Sequence, residues 1–261
     1  MPTPSSIVQL IESSGNNFHA KVARWFNGSG WHVTVSPYYM DQTQSKAREI
    51  DLVAEKLWPT TDTWGTPQGY VAVRLFIECK FIASESVFWF APKDLKAATR
   101  LVCRTSPFTE GNRYTQNHHY LATCETVGKL FTSSNAKAQE SEPFYKALNQ
   151  ALNATVSLRL QAPSHPALQG RRHGTLVNLS FPVVVCSSFS ELYAVDFFKD
   201  TPATQINENF QLEVQYAYLD RSGNPQDDYF LLDIVEYGQL SAFEKSLAKG
   251  VEAAAFLSRR D

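Results

Sequence analysis

Apolar residues in the first third of the chain change from helical spacing to the two-residue alternation of strands. A helix is predicted where four apolar side chains recur every three or four residues, at Phe18, Val22, Trp25 and Phe26. Strands are predicted over residues 31–37, 50–54 and 70–82, which are rich in β-branched and aromatic residues. A polar connection is expected at residues 41–46. Pro and Gly within residues 59–69 predict the turn between the last two strands.

Helical spacing returns after Pro92, which suits the first turn of a helix. One face of this predicted helix carries four small or apolar residues, Leu95, Ala98, Thr99 and Val102. A strand or strand pair is predicted over residues 120–131 and a longer helix over residues 142–160. Residues 162–174 are rich in Pro, Gly, His and Arg, which indicates a connecting segment.

The pattern in the last third of the chain predicts several strands followed by one helix. Runs of apolar and β-branched residues predict strands over residues 182–186, 192–195, 212–218 and 229–235, and helical spacing predicts residues 241–257 as a helix. These elements indicate an α/β protein, a mixed sheet core flanked by helices with a strand-rich C-terminal extension. We predict a core over residues 1–165. The extension, residues 166–261, is expected to pack on this core or to continue it.

Composition is that of a folded protein. The chain has 261 residues, of which 43% are hydrophobic, and this is enough for one large domain. No run of about 18 apolar residues is present, and the first residues lack the pattern of a signal peptide. We therefore expect a cytoplasmic protein that has no membrane partner. Its four cysteines are scattered, which favours free thiols over a zinc or redox pair.

Charge is unevenly distributed along the chain. Residues 183–261 hold 6 Lys or Arg and 13 Asp or Glu, a net charge of −7, whereas residues 1–182 hold 18 and 13, a net charge of +5. The basic part can bind a polyanion, so a nucleic-acid partner is permitted there. The acidic C-terminal region is more typical of a solvated surface.

Acidic and basic residues interrupt two of the predicted strands. Asp51 lies in the apolar run 50–54, and Glu78 and Lys80 lie in the run 70–82. Side chains alternate along a strand, so Glu78 and Lys80 share one face while Cys79 points to the other. Antiparallel pairing through the 59–69 turn brings Asp51 close to Glu78.

Two neighbouring carboxylates repel each other unless a cation lies between them. Mg²⁺ or Mn²⁺ accepts the carboxylates of Asp51 and Glu78, a backbone carbonyl such as that of Cys79, and water. Lys80 would then support a phosphoryl oxygen or the attacking water. The alternative is structural: Asp51 caps a turn, and Glu78 and Lys80 form a surface ion pair.

Asp51 followed by Glu78-Cys79-Lys80, behind a helix and a strand, resembles the PD-(D/E)xK nuclease superfamily over about residues 16–104. The resemblance implies a restriction-endonuclease-like core: a helix, a three-strand meander, a helix and a further strand. It implies that Asp51 and Glu78 bind the metal and that Lys80 is the catalytic lysine. Many members carry a Glu after an aromatic residue of the first helix, a position that His19 takes here. His19 and Glu49 are accessory candidates.

Members of that superfamily cut DNA, less often RNA, in restriction, repair and phage defence, and many act as dimers. The resemblance therefore implies a nucleic-acid partner, DNA before RNA, with a homodimer or a defence-system protein as further partners. Candidate phosphate contacts are the basic residues Lys93, Lys96, Arg100, Arg171 and Arg172. Two other readings remain: a nuclease-fold module that binds without cutting, and an unrelated interaction protein.

Two further polar features, the His118, His119 and Cys124 group and Asp233, are interpreted as structural and not as sites. His118 and His119 with Cys124 could suggest zinc, but adjacent histidines on a strand point to opposite faces. Asp233, within an apolar run, is read as structural.

Overall fold

The structure is a computed structural model that describes residues 5–41, 46–62, 64–134, 143–168, 175–220 and 222–258. Within these ranges the helices are α1 (Ser5–Ser13), α2 (Gly15–Gly28), α3 (Leu95–Thr105), α4 (His119–Ala122), α5 (Pro143–Leu158) and α6 (Leu240–Leu257). The first six strands are β1 (His32–Val35), β2 (Tyr38–Asp41), β3 (Lys46–Glu49), β4 (Leu52–Thr61), β5 (Pro67–Lys80) and β6 (Ser86–Pro92). The remaining strands are β7 (Thr126–Ser133), β8 (Thr175–Cys186), β9 (Leu192–Asp196), β10 (Thr204–Gln205), β11 (Phe210–Leu219) and β12 (Pro225–Glu236).

A ten-stranded mixed sheet flanked by helices forms the centre of the molecule, which confirms the mixed α/β class. The strand order is β1-β4-β5-β8-β12-β11-β7-β6-β9-β10, and β2 and β3 form a separate hairpin. β1, β4 and β5 pair antiparallel as a meander, and β8 lies parallel to β5. Strands from both sides of residue 165 therefore share one sheet. The division into a core of residues 1–165 and an extension of residues 166–261 stays a prediction.

Most of the predicted elements are found, with corrections. Helix α2 is present, and its N-cap is Ser14, whose hydroxyl oxygen accepts a hydrogen bond from the Asn16 backbone N–H at 3.2 Å. The predicted strand over residues 120–131 is wrong in its first part, because Tyr120 lies in helix α4. Asp41 and Lys46, at the two ends of the expected connection, lie instead in strands β2 and β3 and pair with each other, and neither strand was predicted.

Packing at the β1 end of the sheet fixes where helix α2 lies. The Trp31 ring is 5.5 Å from Phe26 and 5.8 Å from Trp58, both edge-to-face. Phe18, Val22 and Phe26 of α2 join the main core with Leu52 and Ile77. Helix α2 is therefore held against β4 and β5, next to Asp51 and Cys79.

A smaller apolar cluster covers another part of β4 and β5. It contains Tyr39 of the hairpin, Ile50, Val53, Phe76 and Ala154 of α5. Leu75, Ile77 and Cys79 belong to the main core instead, so β5 alternates between the two clusters. By this alternation Glu78 lies on the face of Phe76.

None of the helices in the described part of the chain is long and apolar enough to cross a membrane.

Candidate metal and nucleic-acid site

Asp51 lies in a bend directly before β4, opposite Glu78 of β5. The register pairs Leu52 with Ile77, which places Asp51 beside Glu78 as the antiparallel prediction requires. The Asp51 carboxylate oxygen Oδ2 accepts a hydrogen bond of 2.8 Å from the Cys79 backbone N–H. The Asp51 carbonyl oxygen accepts a second one, of 2.8 Å, from the Ser36 N–H. Main-chain groups of β5 and of the segment after β1 therefore orient Asp51.

Glu78 is buried, with 2% of its surface exposed. Its Oε1 atom accepts a 3.4 Å hydrogen bond from the Asp51 backbone N–H. Burial, and then the negative charge of Asp51, raise the pKa of Glu78 to about 8, although the positive charges of Lys80 and Lys146 oppose this rise. Without a bound cation, the Glu78 carboxyl group is therefore mostly protonated at neutral pH.

His19 reaches the same carboxylate from helix α2. Its Nε2 atom is 3.3 Å from Asp51 Oδ2, and the two side chains are 27% and 20% exposed. The side-chain ligand atoms of His19, Asp51 and Cys79 all lie within 4.8 Å of one another. His19, an accessory candidate, thus contacts Asp51, a predicted metal ligand.

The available donor atoms decide which metal these residues can hold. Burial raises the pKa of the Cys79 thiol well above its usual value, so the thiol stays protonated and is a poor ligand. Carboxylates at Asp51 and Glu78 suit Mg²⁺ or Mn²⁺, and an imidazole at His19 extends the range to softer ions. These donor types are compatible with such an ion, but within the described residues the side-chain donors that converge are those of His19, Asp51 and Cys79, without Glu78.

Lys80 and Glu49 lie at the edge of this site. Lys80 is half-buried, two residues along β5 from Glu78, and shares its face. Hydrogen bonds from Ser36 and Tyr38 lower the pKa of Glu49, and the charge of His19 adds to this. Glu49 thus interacts electrostatically with His19.

The basic residues proposed for phosphate contacts have different surroundings. Lys93 precedes α3 instead of lying on it, is only 6% exposed, and its Nζ donates to the carbonyl oxygens of Tyr120 at 2.7 Å and Thr123 at 2.5 Å. This gives Lys93 a structural role in the connection after α4. Lys96 and Arg100 are exposed on α3. The other two candidates, Arg171 and Arg172, lie outside the described residues.

His119 belongs to a buried polar cluster that the sequence did not indicate. Its Nε2 is 2.8 Å from Asp233 Oδ1, and its Nδ1 is 3.0 Å from the Ser246 hydroxyl. That hydroxyl already donates to the Phe243 carbonyl oxygen at 2.6 Å, so it accepts from His119 and is not activated as a nucleophile. The signal in the sequence that could have indicated this cluster is Asp233, an acidic residue within an apolar run.

The argument against a zinc site at His118 and His119 assumed that both lie on a strand. His118 instead caps helix α4, and its ring packs against Phe108 and Phe181. Within the described residues, the one group of three possible ligands that converges is His19, Asp51 and Cys79. The two histidines and Cys124 form no such group there.

Comparisons with protein-family models, curated proteins and solved structures gave no match. The function is therefore inferred from the geometry and chemistry of Asp51, Glu78, Lys80 and their neighbours.

Proposed function

We propose that the chain is a metal-dependent nuclease that hydrolyses phosphodiester bonds, with DNA favoured over RNA as the substrate. The observation that carries this proposal is the pairing of β4 with β5. It sets Asp51 beside Glu78, which is two residues before Lys80 on β5, and the Cys79 N–H donates to Asp51 Oδ2 at 2.8 Å. Asp51, Glu78 and the Cys79 carbonyl would hold Mg²⁺ or Mn²⁺. When bound, the ion polarises a phosphate and lowers the pKa of its water.

The protein's own groups would prepare this reaction. The Cys79 N–H and His19 orient the Asp51 carboxylate from two sides. Lys80 supplies a positive charge on the face of Glu78, where it would stabilise a nonbridging phosphate oxygen or orient the attacking water. Glu78 would give up its proton when a cation binds, because the positive charge of the ion would favour the ionised carboxylate over the protonated form that burial favours.

The order of elements supports a restriction-endonuclease-like core. Helix α2 precedes the meander of β1, β4 and β5, and helix α5 precedes β8, which pairs parallel with β5. The expected order of a helix, three strands, a helix and a strand is obtained when β2, β3 and the elements from β6 to β7 are treated as insertions. The second helix is α5 in this arrangement, so the core would extend to residue 186, beyond the 16–104 segment of the resemblance.

A nuclease-fold module that binds without cutting is the second candidate. The burial of Glu78 and the presence of His19 on Asp51 Oδ2 favour it, because both leave the two carboxylates less accessible. Three cavities of the described residues are also lined by other side chains. Binding and cutting must therefore be measured separately.

The test uses plasmid DNA and single-stranded RNA with Mg²⁺, Mn²⁺ or EDTA. The nuclease proposal expects metal-dependent cleavage that Asp51→Asn and Lys80→Ala abolish while both variants stay folded at the assay temperature. Asp200→Asn and Lys199→Ala, at exposed positions, serve as matched controls that retain activity. Binding of DNA without cleavage by the wild type would favour the second candidate. Equal cleavage by Asp51→Asn and the wild type would refute the site.

A further inference from the structure

A cavity of about 420 Å³ lies between helices α3, α4 and α5 and strands β8 and β12. Its lining includes Arg104, Tyr120, Arg159, Asn178, Ser180 and Phe230. None of the described residues that line it belongs to the Asp51 site. The volume falls in the range of roughly 300 to 1,000 Å³ that is typical of small-molecule sites.

Four buried polar atoms around this cavity lack a hydrogen-bond partner among the described residues. They are Tyr120 Oη, Arg159 Nη1, Asn178 Oδ1 and Ser180 Oγ. Tyr120 is only 4% exposed, and burial keeps its pKa well above the usual value, so the hydroxyl remains a donor. Proteins rarely leave buried polar atoms unpaired. Their concentration at one cavity points to a polar ligand.

The charges and apolar surfaces of the lining restrict the chemistry of that ligand. Arg159 Nη2 donates to the Tyr218 hydroxyl at 3.0 Å, which leaves Nη1 for another acceptor. Arg104 lies at the rim in an ion pair with Asp228, and its side chain is 45% exposed. The described lining includes two arginines and no acid. Phe230 and Leu101 supply apolar surface, which suits a ligand with one anionic end and one flat end.

We propose that this cavity binds a nucleoside monophosphate, independently of the metal site. Its phosphate would accept from Arg159 Nη1, because guanidinium groups pair well with phosphate oxygens. Ribose hydroxyls would donate to Asn178 Oδ1 and Ser180 Oγ. The base would lie against Phe230 and Leu101, where the Tyr120 hydroxyl meets its polar edge. This binding function goes beyond the proposed nuclease.

The test is calorimetric titration of the full chain, in EDTA, with each of the four common nucleoside 5′-monophosphates and with inorganic phosphate. At least one nucleotide is expected to bind more tightly than phosphate alone. Arg159→Gln removes the charged donor and is expected to weaken that nucleotide by about tenfold or more. Ser180→Phe fills the cavity and is expected to abolish binding. Arg24→Gln, an exposed arginine on α2, is the matched control and leaves the affinity unchanged.

Several outcomes would overturn the proposal. If none of the four nucleotides binds, the cavity holds only water and the proposal is wrong. Binding that survives both Arg159→Gln and Ser180→Phe, in variants with wild-type melting temperatures, lies elsewhere on the protein. If either variant fails to fold, Ser180→Ala removes only the hydroxyl and is expected to weaken binding; unchanged affinity contradicts the site. Asp51→Asn must leave nucleotide binding intact, since loss there would place the nucleotide in the metal site.

Discussion

The Asp51 carboxylate oxygen Oδ2 accepts a 2.8 Å hydrogen bond from the Cys79 backbone N–H, across the end of the β4–β5 pair. A side chain here takes the place of a backbone acceptor at the end of the ladder. The sheet itself therefore sets the direction of Asp51, and the same stretch of β5 carries Glu78 and Lys80. This one contact links the fold to the proposed chemistry.

This contact predicts different stabilities for two substitutions of Asp51. Asp51→Asn keeps an oxygen acceptor for the Cys79 N–H, whereas Asp51→Ala leaves that N–H without its partner. We expect Asp51→Ala to lower the free energy of unfolding by about 1 to 3 kcal/mol and Asp51→Asn to lower it less. Urea denaturation in EDTA measures both. Equal destabilisation by the two variants would show that the hydrogen bond contributes nothing.

Glu78 predicts a pH dependence of stability in metal-free protein. Its pKa is raised from 4.5 to about 8, chiefly by burial, so between these pH values the folded state holds a proton that the unfolded state has lost. Stability contributed by the protonated form is therefore lost as the pH rises from 4.5 to about 8. Glu78→Gln should remove this loss, which is roughly 2 to 4 kcal/mol.

The measurement is the free energy of unfolding of wild type and Glu78→Gln across that pH window, in EDTA. The difference between them should change with pH in favour of the variant. Parallel pH curves would mean that Glu78 has an ordinary pKa.

The lowered pKa of His118 predicts that stability is lost in acid, the opposite of the pH dependence expected for Glu78. Burial, and then the charge of His119, lower its pKa from 6.5 to about 3, so only the unfolded state gains a proton there between these values. This stability is fully present above pH 6.5 and is lost as the pH falls toward 3, by roughly 2 to 4 kcal/mol. His118→Asn keeps an acceptor for the Tyr120 N–H but cannot titrate. Its unfolding free energy should fall less steeply in acid, and an unchanged slope would contradict the assignment.

A buried ion pair between neighbouring strands predicts that substitutions of its two residues have strongly coupled effects on stability. Arg74 Nε donates to Glu55 Oε1 at 2.9 Å, and both side chains are buried. Glu55→Gln leaves the Arg74 charge unpaired and should cost about 3 to 5 kcal/mol. The double variant with Arg74→Met should lose less than the sum of the single variants in a double-mutant cycle. Lys199→Ala, which breaks an exposed pair with Asp196 at 4.0 Å, should change stability by less than about 1 kcal/mol.

Local patterns along the chain predicted the parts of the fold that depend on neighbours in sequence. Strands β4 and β5 follow each other along the chain, so the antiparallel pairing that brings Asp51 near Glu78 could be predicted from their order and a short connection. The parallel pairing of β5 with β8 could not be predicted, because about a hundred residues separate the two strands and periodicity carries no information on distant partners. The His119 and Asp233 pair escaped prediction for the same reason.

Side-chain environment limited the prediction of the candidate site. Lys93 has the sequence context of an exposed helix residue, yet carbonyl oxygens of Tyr120 and Thr123 hold its ammonium group in the interior. His19 was an accessory candidate by position only, and its contact with Asp51 depends on how α2 packs through Phe26 and Trp31. Such contacts follow from tertiary packing and leave little trace in local sequence.

The rate of plasmid cleavage as a function of Mn²⁺ concentration tests the central claim most directly. The account predicts no cleavage in EDTA, saturation with Mn²⁺ for the wild type, and no cleavage by Asp51→Asn at any Mn²⁺ concentration. Glu78→Gln should also be inactive, while Asp200→Asn should follow the wild-type curve. Cleavage in EDTA, or a wild-type curve for Asp51→Asn, would contradict a metal-dependent nuclease site at Asp51 and Glu78.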